Sequence, residues 1–249
     1  MPPRRQRPSS TAERRRPIDR EKQRRRAILV DFAGVMTTSV LAGFRAFGAK
    51  IGVDPGLPIR LFTLDPRVRT ARAELESGVR ADEEFEAVLA AALTEHGGGG
   101  VEPEGLLRRI RSELEPDREM IALIAGLKAA GHPVALVSNS LALGRYDDVD
   151  LTELVDASVV SAEVGARKPS RAFYEMACER LEIEPHEAVM IDDLPHNIEG
   201  AKRVGIEGIV HGSAGTTAEE LATRFGVFPL LPPTPPATDW FWRRRRSYR

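Results

Sequence analysis

The feature that most constrains this chain is a series of five short, β-branched apolar runs: Ala27–Asp31, Pro133–Ser138, Ala157–Ser161, Ala188–Asp192 and Gly208–Val210. Helical patterns such as Arg171–Leu181 and His196–Val204 lie between the later runs. Strands alternating with helices of about 10–15 residues build parallel βαβ units, so the fold class is α/β with a doubly wound parallel sheet. Functional groups in such sheets collect at the carboxyl ends of the strands. Asp31, Ser138 and the pair Asp192-Asp193 all fall at run ends, so one edge of the sheet is expected to carry all four.

The first and second runs are about 100 residues apart, far more than one crossover needs. The excess reads as an all-helical insert with helices at Ser39–Gly52, Pro66–Glu76, Asp82–His96 and Glu102–Leu114. Asp82 supplies an N-cap to "EEFEAVLAAAL", and "GGGG" at 97–100 ends that helix as a flexible joint. The expected organisation is a basic, disordered N-terminal tail (1–26), an α/β core (27–36 and 117–228), a helical cap insert (37–116) and a Pro-rich, basic C-terminal tail (229–249). An all-helical insert directly after the first strand is placed to close over a site at the strand ends.

A net charge of −1 conceals a segregation. Residues 1–26 hold eleven Lys/Arg against three acids and residues 229–249 five against one, which leaves 20 basic and 33 acidic residues for the body. Solvated extensions account for such tails more simply than contact with nucleic acid or an anionic surface. Trp240-Phe241-Trp242 before four arginines fits either a membrane-surface contact or a fold-back onto the body. The single cysteine, Cys178, excludes an internal disulfide framework. No window approaches the roughly 18 apolar residues of a membrane span, and no export signal is apparent, so a cytoplasmic protein is expected.

Four segments, in this order, resemble the haloacid dehalogenase (HAD) superfamily: "ILVDFAGV", "ALVSNS", "GARKPSRAFYEMA" and "AVMIDDLPHNIEGAKRVGI". "DFAGVMTTSV" and "IDDLPHNIEGAKRVGI" are most similar to the branch related to the N-terminal phosphatase domain of soluble epoxide hydrolases. The similarity covers about Ala27 to Phe228 and omits both tails; the insert corresponds to the family's small helical cap.

The residue types fit the chemistry that the resemblance implies. A strand-end carboxylate, Asp31, can attack phosphorus and split one difficult hydrolysis into two easier steps. That attack brings negative charge toward negative charge and needs cations. Lys168 is the candidate to neutralise the phosphate and orient Asp31, and Ser138 and Asn139 offer a hydroxyl and backbone N–H groups to its oxygens. Asp31, Asp193 and the backbone carbonyl of Ala33 form the sparse oxygen set that suits Mg²⁺. Asp192 and Asn197 support that metal and Lys168. Taken singly, Ser138-Asn139 also reads as a strand-ending turn and Lys168 as a surface lysine. Two adjacent acids at a strand end are harder to dismiss, because they repel unless a cation sits there. His186, His196, His211 and Cys178 read as surface or packing residues.

Phosphatase members of the superfamily carry a second aspartate two residues after the nucleophile, as the acid and base of the reaction. Here that position is Ala33. Four readings stay open: a Mg²⁺-dependent phosphohydrolase of a small phosphorylated molecule, using a good leaving group or an acid from Glu74 or Glu76; phosphonate C–P cleavage through a Schiff base at Lys50; metal-free dehalogenation, against which the Asp192-Asp193 pair argues; and a low-turnover protein that binds phosphate and metal.

Overall fold

A computed structural model of the chain describes residues 26–139, 151 and 153–230. The expectations for the two tails, Trp240-Phe241-Trp242 included, lie outside the described residues except at Arg26, Pro229 and Leu230. Five strands, β1 (Ala27–Val30), β2 (Val134–Ser138), β3 (Ala157–Val160), β4 (Ala188–Asp192) and β5 (Glu207–Val210), form one sheet in the order β3-β2-β1-β4-β5. Every pairing is parallel. Between β1 and β2 run α1 (Val40–Lys50), α2 (Leu57–Leu64), α3 (Pro66–Glu76), α4 (Asp82–Gly97), α5 (Leu106–Arg111) and α6 (Arg118–Ala129). Then come α7 (Ser161–Val164) and α8 (Arg171–Leu181) before β4, α9 (Pro195–Lys202) before β5, and α10 (Ala214–Phe225) after it.

The strands read as unbroken apolar runs because helices cover both faces of the sheet. Along β1, Ile28 and Val30 join a cluster with Ile121 and Ile124 of α6 and Leu221 of α10. Leu29, pointing the other way, joins Phe173 and Tyr174 of α8 and Ile198 of α9. Strands β2 and β4 alternate in the same manner, Leu136 and Ile191 on the first face, Val137 and Met190 on the second. Period-two alternation between two buried faces fixes the register of β1, the central strand of the sheet.

The insert leaves and rejoins the sheet side by side. Thr37 bridges Pro116 in antiparallel fashion, Thr38 N–H donates to the Glu115 carbonyl at 2.7 Å, and Asp117 N–H donates to the Met36 carbonyl at 3.0 Å. Helices α1 to α5 enclose their own core, in which the Phe44 and Phe62 rings meet at a tilt, 4.8 Å apart, and Phe62 meets Phe85 edge-on at 6.3 Å.

Two local expectations are corrected. Asp82 is not the N-cap of α4; Ala81 holds that position and the Glu84 carboxylate accepts its N–H at 3.2 Å. Helix α2, in "GLPIRLFTL", adds to the four helices expected for the insert; Pro58 lies in its first turn, where the missing N–H breaks no helical bond.

Helix α5 has a glycine at its N-cap and no side-chain cap of its own. The buried Glu86 carboxylate of α4 replaces one, accepting the N–H groups of Gly105 at 3.0 Å and Leu107 at 2.9 Å. Glu86→Ala leaves both donors without an acceptor and is expected to cost about 1–3 kcal/mol in urea denaturation. A cost below about 0.5 kcal/mol would mean that water reaches both N–H groups. No described helix is long and apolar enough to cross a membrane.

Candidate active site

Parallel pairing sets the ends of β1 and β4 side by side, with Val30 opposite Ile191. The next residues, Asp31 and Asp192, therefore emerge together; Asp31 N–H extends the ladder to the Ile191 carbonyl at 3.0 Å. Carboxylate oxygens of Asp31, Asp192 and Asp193 lie within 4.8 Å of one another. Asp31 is 7% exposed and Asp192 fully buried, while Asp193 is partly exposed.

Lys168 closes this cluster. Its side chain is 1% exposed, and its ammonium lies 2.9 Å from Asp31 Oδ1 and 2.6 Å from Asp192 Oδ2. The Asn139 side chain clasps the backbone of the same residue: Lys168 N–H donates to Asn139 Oδ1 at 2.7 Å and Asn139 Nδ2 donates to the Lys168 carbonyl at 3.0 Å. The Asn139 side chain thus positions Lys168 from both sides of its peptide unit. Ser138 ends β2, the strand beside β1, and is buried.

Asp192 is engaged on all sides. Besides Lys168 it accepts Leu194 N–H at 2.9 Å and Asn197 Nδ2 at 2.9 and 3.1 Å. Asn197, 2% exposed, is fixed in turn by Tyr174, whose hydroxyl donates to its carbonyl at 2.6 Å. Asp192 and Asn197 therefore hold Lys168, while Asp31 and Asp193 keep oxygens for other partners.

Burial pushes the Asp31 carboxyl up to about 7, with Lys168 opposing and Asp192 adding to the rise. Burial, with Asp192 beside it, pushes Asp193 up to about 6. For Lys168 burial acts downward, but Asp31 and Asp192 outweigh it and hold the ammonium above its usual range. Three carboxyl groups share one ammonium, an excess of negative charge in a low dielectric that a divalent cation would relieve. An all-oxygen donor set with no imidazole or thiolate fits a hard ion such as Mg²⁺.

Gly34 has a role that the sequence alone leaves unread. Its φ of +86° is a left-handed conformation, and a Cβ there would stand 2.5 Å from Asp193 Oδ2. The turn after Asp31 can approach Asp193 only because residue 34 lacks a side chain. Among the other residues weighed from sequence, Glu74 pairs with Arg80 at 2.8 Å, and buried Glu76 pairs with Arg167 and, at 3.7 Å, with Arg72. Lys50 has a 66% exposed side chain paired with Glu113 at 2.7 Å, unlike the buried amine of a Schiff-base site. His186 and His196 are exposed, His211 faces Thr217 Oγ1 at 2.8 Å, and Cys178 is buried within α8.

A family model described as haloacid dehalogenase-like hydrolase matches residues 25–205. The ribulose-1,5-bisphosphate 5-phosphatase of Halopiger xanaduensis is 33% identical over 103 residues, 39% of this chain and 43% of that protein. Bifunctional epoxide hydrolase 2 of Rattus norvegicus is 27% identical over 135 residues, 48% of this chain and 24% of that protein. The chain thus spans less than half the length of these two curated relatives. Among solved structures, a HAD family enzyme from Bacteroides thetaiotaomicron in complex with magnesium and inorganic phosphate superposes with a TM-score of 0.54 at 20% identity, covering 76% of this chain and 94% of that one.

Proposed function

We propose that this chain, which belongs to the haloacid dehalogenase-like hydrolases, is a Mg²⁺-dependent phosphohydrolase of a small phosphorylated molecule. The observation that carries this reading is the buried ammonium of Lys168 held between Asp31 and Asp192 beside a cluster of carboxylate oxygens. Relatives whose names describe phosphatases add to it.

In this mechanism an Asp31 oxygen attacks the phosphorus, the bond from phosphorus to the leaving oxygen breaks, and an aspartyl-phosphate forms. Water then attacks that phosphorus, releasing phosphate and restoring the carboxylate. Lys168 orients Asp31 and balances the charge of the phosphoryl oxygens, and the Ser138 hydroxyl and Asn139 N–H bind them. Asp31, Asp193 and the Ala33 carbonyl would hold Mg²⁺, which when bound would supply further positive charge to the phosphoryl group. Helices α1 to α5 act as a cap over the strand ends, excluding water from the first step. The test is phosphate release from p-nitrophenyl phosphate. Turnover with Mg²⁺ and its loss in EDTA are expected; turnover unaffected by EDTA would refute the metal assignment.

Ala33 leaves no carboxyl group to protonate the leaving oxygen, and Glu74 and Glu76 are already engaged with arginines. This favours a second reading, a protein that binds phosphate and metal but turns over slowly. Ala33→Asp separates the two. If proton transfer limits the rate, hydrolysis of an alkyl phosphate with a poor leaving group rises by about 10²–10⁴-fold, as read by steady-state phosphate release. No rise, with parental turnover of the activated aryl ester, would mean that the proton already reaches the leaving oxygen by another route.

A further inference from the structure

One side of α3 faces a cavity of about 570 Å³ whose wall is completed from the core by Arg167. Pro66, Arg69, Thr70, Ala73 and Ser77 line it at helical spacing, together with Arg72 and Glu74. The charges around it do not balance. Glu74 is paired with Arg80, and Glu76 is shared by Arg72 and Arg167. Arg69 has no carboxylate partner among the described residues and is exposed. Four arginines thus stand against two carboxylates.

Arg72 packs against Phe62 with its charge only partly matched. Its guanidinium lies 4.8 Å from the centroid of the Phe62 ring and donates to the Phe62 carbonyl at 3.4 Å, while Glu76 stays 3.7 Å away. Burial lowers the Arg72 pKa against the pull of Glu76, and the charges of Arg167 and Arg69 add to the lowering. Three arginines thus line one cavity, and guanidinium groups are the donors best matched to an oxyanion.

One residue of the cavity wall, Arg167, is linked to the candidate active site along the chain. Arg167 directly precedes Lys168, whose ammonium touches Asp31, and consecutive Cα atoms stand about 3.8 Å apart. We infer that the Arg69–Arg72–Arg167 cavity receives a second anionic group, a carboxylate or phosphate, of the substrate whose phosphoryl group meets Asp31. This inference rests on the phosphohydrolase reading and narrows its substrate class to small phosphate esters that carry a further oxyanion.

The test compares 3-phosphoglycerate with glycerol 3-phosphate, which lacks the carboxylate, using the full chain with Mg²⁺. At least about a tenfold preference in kcat/KM for 3-phosphoglycerate is expected, carried by KM. Arg69→Gln is expected to shrink the preference to about threefold or less, and Arg69→Lys to restore part of it. Equal kcat/KM values, or a preference unchanged in Arg69→Gln, overturn the cavity assignment; p-nitrophenyl phosphate turnover in the same protein leaves the reading of Asp31 standing. If none of the three esters is hydrolysed, the phosphohydrolase reading fails instead. Calorimetric titration of the Asp31→Asn protein then decides on the cavity. A tenfold tighter Kd for 3-phosphoglycerate that is lost with Arg69→Gln supports it, and equal Kd values overturn it.

Discussion

Asp31→Asn is expected to abolish the proposed phosphate release while leaving a fold at least as stable as the parent. The loss follows from chemistry: an amide oxygen does not form the acyl-phosphate, so turnover of p-nitrophenyl phosphate falls on the order of 10³-fold or more. The stability follows from electrostatics. Burial lifts Asp31 to about 7, whereas an unfolded chain releases that proton near pH 4. Between those values the folded protein holds the extra proton. The contribution of this group to stability is therefore complete below about pH 4 and is lost as pH rises through about 7. Asparagine does not ionise, so thermal melts of the metal-free variant should fall less steeply from about pH 5 to about pH 8 than those of the parent. Lys168 keeps a partner in the variant, because Asp192 remains 2.6 Å away. Undiminished turnover in Asp31→Asn would place the nucleophile elsewhere; a variant clearly less stable at pH 8 would mean that Asp31 stabilises the fold rather than straining it.

That opposition between function and stability explains why some of this site was legible in sequence. A carboxylate at the end of a buried strand runs against the apolar pattern around it, so Asp31 and Asp192-Asp193 stood out as exceptions. The strands themselves were legible because they are buried on both faces and admit no polar alternation; the five expected runs match β1 to β5 to within about two residues at each end. The insert was legible from chain length alone, but not all of its helices. Pro58 breaks a helix interior and is welcome in a first turn, and the letters do not say which applies.

Interactions across long sequence separations were not legible. Asn139 and Lys168 are 29 residues apart, and the paired hydrogen bonds between them belong to the folded chain only. Gly34 reads as an ordinary turn glycine until Asp193, more than 150 residues later, is found against it. Nothing in the sequence near Arg69 and Arg72 announces that Arg167 arrives from the core to line the same cavity. Pattern reports burial and strand ends well; which charges face one another is a property of topology.

Methionine at position 168 tests the electrostatic design most severely. The side chain is close to lysine in volume and sits where lysine is 2% exposed, so packing is largely conserved and charge is what changes. Removing the ammonium leaves Asp31 and Asp192 facing one another with Asp193 close by. Breaking a buried pair in this way costs about 3–5 kcal/mol. The sign of its pH dependence is fixed. Without Lys168, whose charge opposes the rise of the Asp31 carboxyl, that group rises further above its unfolded value, so the variant takes up a proton on folding, is least stable near pH 8 and recovers toward pH 4. Adding Asp192→Asn removes one of the opposed charges while its amide oxygen still accepts from Leu194 and Asn197. The double variant is therefore expected to be more stable at pH 8 than Lys168→Met alone, with non-additivity above about 0.5 kcal/mol in a urea-denaturation cycle. An additive cycle, or a Lys168→Met protein as stable as the parent, would show that the ammonium between the two strand ends does not neutralise them, and the charge argument for Mg²⁺ and for phosphate would lose its foundation.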